Sequence, residues 1–247
     1  MDGLSSAMTS YRLEVAVDAT QLARRAAERI ATAIDLALDE RDRCQIALAG
    51  GSTPALAYGR LGQEHLPWDR VDVLLGDERW VPASDPASNA RMIASTLLAQ
   101  ETARQARFHA VPTELPTAEA SAEAFEALVR RLCPGDPPMF DLVLLGLGDD
   151  GHTASLFPGT PATQVTDRAV TIGTGKAMER ITLTAPVLSA ARQVVFLVSG
   201  AGKQQALARL LDPHESPERT PAKLVQPRST VLVLADTAAA AGLAAAG

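Results

Sequence analysis

A regular alternation between continuous apolar runs and longer helical segments constrains the fold of this chain more than any other feature. Runs such as QIALAG, DLVLLGLG and QVVFLVSG carry Val, Ile and Leu at successive positions. Strands of this kind are covered on both faces, as in parallel sheets. Between the runs lie helical stripes, the first formed by Leu22, Ala26, Ile30, Ile34 and Leu38. The alternation predicts a three-layer α/β/α fold around a mostly parallel, Rossmann-like sheet.

The predicted elements cover most of the chain without a linker long enough to mark a domain boundary. The predicted strands are RLEVAVD, QIALAG, VDVLLGDE, ARFHAV, DLVLLGLG, RITLT, QVVFLVSG and TVLVLAD. NARMIASTLLAQ and KQQALARLL are predicted helices, as are the segments 54–63 and 116–134. We therefore expect an N-terminal extension over 1–10 and a single α/β domain over 11–247. The segment 214–223 is predicted to be a surface loop or lid.

Composition excludes several classes of partner. The formal charge of −6 argues against nucleic-acid binding, which depends on surplus Lys and Arg. Only Cys44 and Cys133 are present, which is typical of buried thiols in a reducing compartment. The first residues lack the basic start and apolar core of an export signal. We expect a cytoplasmic protein with a small-molecule substrate, no membrane contact and no obligate protein partner.

Four of the predicted strands end in chemically active residues: GGSTP, GDERW, GDDGH and SGAGK. Ligands of open α/β sheets bind in the crevice beyond the carboxyl ends of the strands. Four such endings that converge on one crevice are stronger evidence for a site than any one motif.

The first ending, AGGSTP, predicts an anion site. Gly50 and Gly51 allow a sharp turn, and Pro54 suits the first position of a helix. The unpaired amides of Gly51, Ser52 and Thr53 and the helix dipole would attract phosphate or carboxylate. An ordinary strand-to-helix turn explains the same residues.

In the second ending, GDERW, charged residues follow directly after a buried strand. Arg79 is a candidate for function, although a structural salt bridge to Glu78 or Asp85 explains it as well. Asn89 and Arg91, a few residues later, could bind substrate or simply lie on a helix surface.

The last ending, SGAGK, places a lysine where the helix dipole disfavours a cation. Lys203 falls in the first turn of the predicted helix. It is better explained if an anion binds there, although a solvated surface lysine is the alternative.

The third ending, GLGDDGH, matches the dinucleotide fingerprint G-x-G-x-x-G but does not fit that function. Pro158 and Pro161 prevent the helix that should follow, and the carboxylates of Asp149 and Asp150 would repel a pyrophosphate. His152 beside a carboxylate suits a general base near neutral pH instead. No second histidine stands at ligand spacing, so the motif does not predict a metal site.

Together, the motifs AGGSTP, GDERWVP…SNARM, GLGDDGHTASLFPG and RITLTAPVLSAA…SGAGK closely resemble the 6-phosphogluconolactonases, in this order and spacing. The resemblance runs from residue 49 to 203. It implies hydrolysis of 6-phospho-D-glucono-1,5-lactone, in the oxidative pentose phosphate pathway, without a metal or organic cofactor.

The resemblance also implies roles for particular residues. His152 resembles the general base that activates water, with Asp150 orienting it and Arg79 near the reacting carbonyl or the sugar hydroxyls. The 6-phosphate would bind the turn Gly51–Ser52–Thr53, Lys203 and Arg180. We further expect the pocket to include Asp77, Asn89, Arg91 and Gly151. Relatives commonly carry prolines before the R-I-T-L-T strand, whereas GTGKAMERITLT here predicts a loop around Lys176.

Two other functions fit parts of the sequence. A glucosamine-6-phosphate deaminase shares a D-G-H loop, but that family carries D-E-Y where this chain has Asp77-Glu78-Arg79, and I-A-F-N-E-P where it has TASLFP. A non-catalytic sugar-phosphate sensor would not need His152 beside Asp150, and no basic helical pair precedes the first strand. The two motif differences from the deaminase family favour the lactonase.

Overall fold

The computed structural model describes residues 9–243, so most of the extension expected over 1–10 lies outside the described residues. The strands are β1 Tyr11–Ala16, β2 Cys44–Leu48, β3 Val71–Leu75, β4 Asp77–Arg79, β5 Arg107–Phe108, β6 Leu142–Gly146, β7 Val170–Gly175, β8 Met178–Leu183, β9 Gln193–Val198 and β10 Val231–Asp236. The helices are α1 Ala19–Glu40, α2 Ser52–Leu61, α3 Asn89–Ser95, α4 Ala118–Leu132, α5 Ala185–Ala190, α6 Gln204–Leu211 and α7 Thr237–Ala240.

Seven strands form one parallel sheet in the order β1-β10-β9-β6-β2-β3-β5. Successive residues of each strand pack into different cores, which confirms the three-layer prediction. Leu142 and Leu144 of β6 pack with α1 and α2, whereas Val143 and Leu145 pack with α4 and α6. This is why the strands read as continuous apolar runs.

A second sheet, which the sequence did not predict, is antiparallel and has the order β4-β8-β7. RITLT is a strand, as predicted, but it belongs to this sheet and not to the parallel one. The backbone N–H of Leu183 donates to the carbonyl of Gly76 (2.9 Å), which fixes the small sheet to the carboxyl end of β3. The expected loop around Lys176 is the two-residue turn of the β7–β8 hairpin.

Helix ends follow local capping chemistry. Asp18 caps α1 through the N–H of Gln21, and Thr117 caps α4 through the N–H of Ala120. The helix predicted over 89–100 is shorter than expected and ends at Ser95. The β-branched Thr96 follows as the C-cap, and its N–H donates to the carbonyl of Ile93. Among residues 9–243, no helix is long and apolar enough to cross a membrane.

Candidate active site

The four strand endings meet because β9, β6, β2 and β3 are consecutive neighbours in the parallel sheet. Neighbouring strands lie about 4.8 Å apart. The GLGDDGH loop after β6 therefore lies between SGAGK on one side and AGGSTP on the other. This arrangement confirms that the four motifs lie side by side at the carboxyl edge of the sheet.

The GLGDDGH loop is a tight turn and not a nucleotide-binding turn. The N–H of Gly148 donates to the carbonyl of His152 (2.8 Å), and the N–H of Gly151 donates to the carbonyl of Gly148 (3.0 Å). A Cβ on Gly148 would lie 2.0 Å from His152 Nδ1. No α-helix follows before β7. The glycines thus allow close packing of the histidine, and the turn lacks the helix start that the dinucleotide motif requires.

His152 and Asp150 form a direct pair at this turn. His152 Nδ1 lies 2.5 Å from Asp150 Oδ1, and the same oxygen accepts the backbone N–H of His152 (3.0 Å). An ionised carboxylate can only accept hydrogen bonds, so Nδ1 carries the proton and Nε2 presents its lone pair. The pair has the geometry of a base and the group that orients it.

The environment keeps His152 neutral and Asp150 charged. Burial lowers the pKa of His152, Lys176 lowers it further, and Asp150 opposes both only in part. Burial acts to raise the pKa of Asp150, but the hydrogen bonds from His152 and the nearby Lys176 leave that pKa below its ordinary value. Neutral imidazole is the form that can accept a proton from water.

The two carboxylates of the GDERW stretch are used within the protein. Asp77 accepts a hydrogen bond from Ser155 Oγ (2.5 Å) and pairs with Arg180 (3.7 Å). Glu78 accepts from the N–H groups of Asn89 and Ala90 (both 2.7 Å), at the start of α3. Burial raises the pKa of Glu78 although these hydrogen bonds oppose the shift. Both carboxylates fix the strand that carries Arg79.

Arg79 keeps donor capacity that its protein contacts do not use up. Its Nη1 donates to the carbonyl of Ala87, and its buried Nε has no hydrogen-bond partner among residues 9–243. The part of the chain that the structure describes contains no ion pair from Arg79 to Glu78 or Asp85. The salt-bridge alternative is therefore wrong for these residues.

Asn89 and Arg91 occupy different surroundings. Asn89 is buried, and its amide donates to the carbonyl of Asp77 (2.8 Å). A Cβ on Gly50 would lie 2.0 Å from Asn89 Oδ1, so this side chain packs on the AGGSTP turn. Arg91 is exposed and donates to the carbonyl of Ser84 (2.8 Å). Its position is that of the helix-surface residue given as the alternative in the sequence analysis.

The AGGSTP turn has the features of an anion site. Gly51 has φ +122°, and no side chain caps the N-terminus of α2. Gly51 and Ser52 are exposed at this end of the helix. Helix N–H groups left without protein partners are available to a ligand.

The two cations expected at the phosphate lie in different environments. Lys203 ends the turn after β9 and is half-buried, and its Nζ makes no hydrogen bond or ion pair within residues 9–243. Arg180 is 6% exposed, lies beside Asp77, and stacks over the ring of Phe157. Burial lowers the pKa of Arg180, and the nearby Asp77 offsets part of that shift. Lys203 thus has more freedom to meet a ligand than Arg180.

The 214–223 segment is a surface loop with buried anchors against the GLGDDGH turn. Thr220 is fully buried, and a Cβ on Gly151 would lie 3.0 Å from its Cα. The N–H of Ala222 donates to the carbonyl of Gly151 (3.0 Å), and Arg209 donates to the carbonyl of Asp149 (3.0 Å). These contacts support the turn that carries Asp150.

Sequence reasoning did not identify several residues that contact the site. Phe157 stacks on His152, Ser155 holds Asp77, and Thr220 packs on Gly151. An aromatic residue five positions after His152 in the same turn-rich segment was the available signal for Phe157. Within residues 9–243, no group of three or more His, Cys, Asp or Glu side chains is arranged to hold a metal ion.

Sequence comparisons find relatives along most of the chain. The family model described as glucosamine-6-phosphate isomerases/6-phosphogluconolactonase matches residues 17–234. A 6-phosphogluconolactonase from Synechocystis is 41% identical over 94% of this chain and 98% of its own. One from Nostoc is 41% identical over the same shares.

Solved structures agree with the sequence matches. A 6-phosphogluconolactonase from Trypanosoma brucei superposes with a TM-score of 0.85 at 30% identity, over 95% of this chain and 99% of its own. A monomeric glucosamine-6-phosphate deaminase has a TM-score of 0.79 at 23% identity, over 94% of this chain and 99% of its own. Similarity at that identity shows a shared fold alone, so the fold does not separate the two activities.

Proposed function

Since the chain belongs to the family of glucosamine-6-phosphate isomerases and 6-phosphogluconolactonases, we propose that it hydrolyses 6-phospho-D-glucono-1,5-lactone to 6-phospho-D-gluconate. This is a step of the oxidative pentose phosphate pathway, and we expect it to take place in the cytoplasm. The observation that carries the proposal is the 2.5 Å contact between His152 Nδ1 and Asp150 Oδ1 at the centre of the crevice. The high identity to named lactonases over nearly the whole chain supports the choice within the family.

The first chemical step is the activation of water by His152. Nε2 accepts a proton from water while the water oxygen forms a bond to the lactone carbonyl carbon, C1. Asp150 holds the ring in the required tautomer and stabilises the imidazolium that forms. Negative charge develops on the former carbonyl oxygen.

Arg79 is our candidate for the group that meets this charge or anchors a sugar hydroxyl. Its unpartnered Nε and its position after β3 support that role. Donors that are fixed before the reaction stabilise an oxyanion without reorganisation.

The second step opens the ring. The tetrahedral intermediate collapses, the bond between C1 and the ring oxygen breaks, and the imidazolium returns its proton to that oxygen. The product is an open-chain carboxylic acid, which ionises in water. His152 is neutral again, so one histidine serves both proton transfers.

The 6-phosphate binds where backbone N–H groups and a lysine can meet an anion together. We assign it to the Gly51–Ser52–Thr53 turn and Lys203, with Arg180 supporting the pocket from its pair with Asp77. Backbone N–H groups at a helix start and a lysine ammonium are both common phosphate donors. Binding at this remote group would orient C1 toward His152.

The proposal is tested by supplying freshly generated lactone to the purified protein and coupling the product to 6-phosphogluconate dehydrogenase. We expect turnover well above the spontaneous hydrolysis of the lactone. Glucosamine 6-phosphate, tested in parallel for ammonia release, should give none. Ammonia release without lactone hydrolysis would assign the chain to the deaminase activity instead.

A further inference from the structure

The ring of Phe157 contacts both the imidazole of His152 and the guanidinium of Arg180. The ring centroids of His152 and Phe157 are 4.3 Å apart, with 30° between their planes. The Arg180 carbon Cζ lies 5.4 Å from the centroid of the Phe157 ring. Phe157 is 5% exposed, so its ring also removes water from the face of the imidazole that it covers.

The β7–β8 hairpin fixes Phe157 in this place. A Cβ on Gly175 would lie 2.3 Å from Cε2 of Phe157, so the hairpin backbone packs directly on the ring. A Cβ on Gly173 would lie 2.4 Å from the carbonyl oxygen of Ser155. Arg180, in the same hairpin, is held by Asp77 (3.7 Å). The ring therefore has little room to move away from His152.

We propose that Phe157 is a positioning residue that sets the plane of the His152 imidazole and shields it from water. The hydrogen bond from Nδ1 to Asp150 fixes one point of the ring but leaves rotation about that contact. Terminal torsions of this type are broad unless packing restricts them. A flat ring stacked on one face supplies that restriction and directs Nε2 into the crevice.

The kinetic part of this inference rests on the proposed lactone hydrolysis, whereas the titration of His152 does not. Phe157→Leu keeps an apolar side chain but removes the stacking surface. We expect kcat to fall about tenfold with KM changed less than about twofold, because the base is misdirected and binding is retained. We expect the pKa of His152 to rise by about half a unit as water reaches the ring.

The titration is measured by NMR on protein with isotope-labelled histidine, with His152→Gln used to assign the signal. The titration reports on the His152 ring even if the protein proves inactive on the lactone. Failure of the proposed function is therefore distinguishable from failure of the positioning role of Phe157. Unchanged kcat together with an unchanged His152 titration in Phe157→Leu would overturn the proposal.

Phe140→Leu is the matched control. Phe140 is fully buried and precedes β6, at the end opposite the site. The same substitution there lowers the free energy of unfolding by a similar amount, because a similar apolar area is lost. It should leave the titration of His152 and kcat as in the wild type, which separates positioning from general stability.

Gly175→Ala provides a second variant that leaves the Phe157 ring intact. The added methyl group would meet only atoms of Phe157 among its three nearest neighbours. We expect kcat to fall severalfold, and we expect little further effect of Gly175→Ala in the Phe157→Leu background, since the smaller side chain relieves the contact. Additive losses in the double variant would contradict action through Phe157. Gly59→Ala is the control, because no atom lies within 4 Å of its added Cβ.

Discussion

At the scale of single residues, the site combines a carboxylate kept charged with a histidine kept neutral. Asp150 is partly exposed and gains hydrogen bonds from His152, whereas the His152 side chain is mostly buried. Their opposite environments fit the roles proposed for them, because only the neutral imidazole can act as a base. A neighbouring cation, Lys176, lowers the pKa of both groups.

Lys176→Gln should therefore shift the pH dependence of activity. The rate kcat/KM rises with pH as His152 loses its proton, through a pKa below the ordinary value. Removing the cation raises that pKa, so the acid limb should move to higher pH by about 0.3 to 0.5 unit. The shift should shrink at high salt, since exposed charges are screened. Arg24→Gln, on the exposed face of α1, is the control. An equal shift of the acid limb in Arg24→Gln would contradict a specific effect of Lys176 on His152.

Lys203→Ala should weaken binding more than turnover. Loss of a charge-assisted contact to phosphate is worth about 1.5 to 3 kcal/mol, which corresponds to a rise in KM of about 10- to 100-fold. Lys203→Arg, which keeps the charge, should recover part of the affinity. Kinetics with unphosphorylated gluconolactone provide the decisive comparison. If Lys203→Ala impairs that substrate equally, the residue does not bind the phosphate.

At the scale of elements, turns that follow strands carry the chemistry, and neighbouring segments fix them. Gly151 has φ +91° and is covered by Thr220, whereas Gly159 has φ +71° with no atom within 4 Å of an added Cβ. Both positions favour glycine on backbone grounds, but only the first is tightly packed.

This difference predicts unequal effects of the same substitution. Gly159→Ala should lower the free energy of unfolding by about 1 to 2 kcal/mol and leave kcat unchanged. Gly151→Ala carries the same backbone cost and also pushes Thr220 away from the catalytic turn, so kcat should fall at least about tenfold. Urea unfolding and steady-state kinetics measure the two effects. Equal kcat values for the two variants would show that packing by Thr220 is irrelevant to catalysis.

The sequence predicts the long elements better than the small sheet. The runs that became β2, β6, β9 and β10 are continuous and apolar, so their burial is readable directly. β4 has only three residues, and two of them are charged side chains buried by partners distant in sequence. Its pairing with β8 depends on tertiary contacts that local periodicity does not encode.

The same reasoning explains which site residues the sequence could identify. His152 and Asp150 are two positions apart in the chain, so their pairing follows from local geometry. The contact from Ser155 to Asp77 spans 78 positions, and the packing of Thr220 on Gly151 also joins distant segments. Such contacts become visible only when the fold brings the segments together.

At the scale of the whole molecule, the two ends of the parallel sheet have separate tasks. The carboxyl edge holds the crevice, whereas charged networks connect strand starts at the opposite edge. Asp72 at the start of β3 is nearly inaccessible and accepts hydrogen bonds from Arg43 (2.7 and 3.0 Å) and Gln45 (3.2 Å) and contacts His109 Nε2 (2.8 Å). Burial acts to raise the pKa of Asp72, but these partners outweigh it and lower that pKa.

Asp72→Asn should reduce stability without reducing turnover. Removing the buried carboxylate charge beside the partly buried Arg43 guanidinium should cost about 2 to 4 kcal/mol in the free energy of unfolding near pH 7. Because the folded pKa is lowered, the stabilisation by Asp72 is complete above the unfolded value near pH 3.9 and is lost as pH falls through the folded value. The difference in the free energy of unfolding between the wild type and Asp72→Asn should become smaller in that acid range. A variant that keeps its stability but loses kcat would contradict the division between the two edges.

The proposed mechanism requires His152 as the base that activates water. The most direct test is steady-state hydrolysis of 6-phospho-D-glucono-1,5-lactone by His152→Ala, corrected for the spontaneous rate. We predict that kcat falls by about 10² to 10⁴-fold while KM stays within a few-fold of the wild type, because the phosphate contacts remain. Wild-type kcat in His152→Ala would contradict the account.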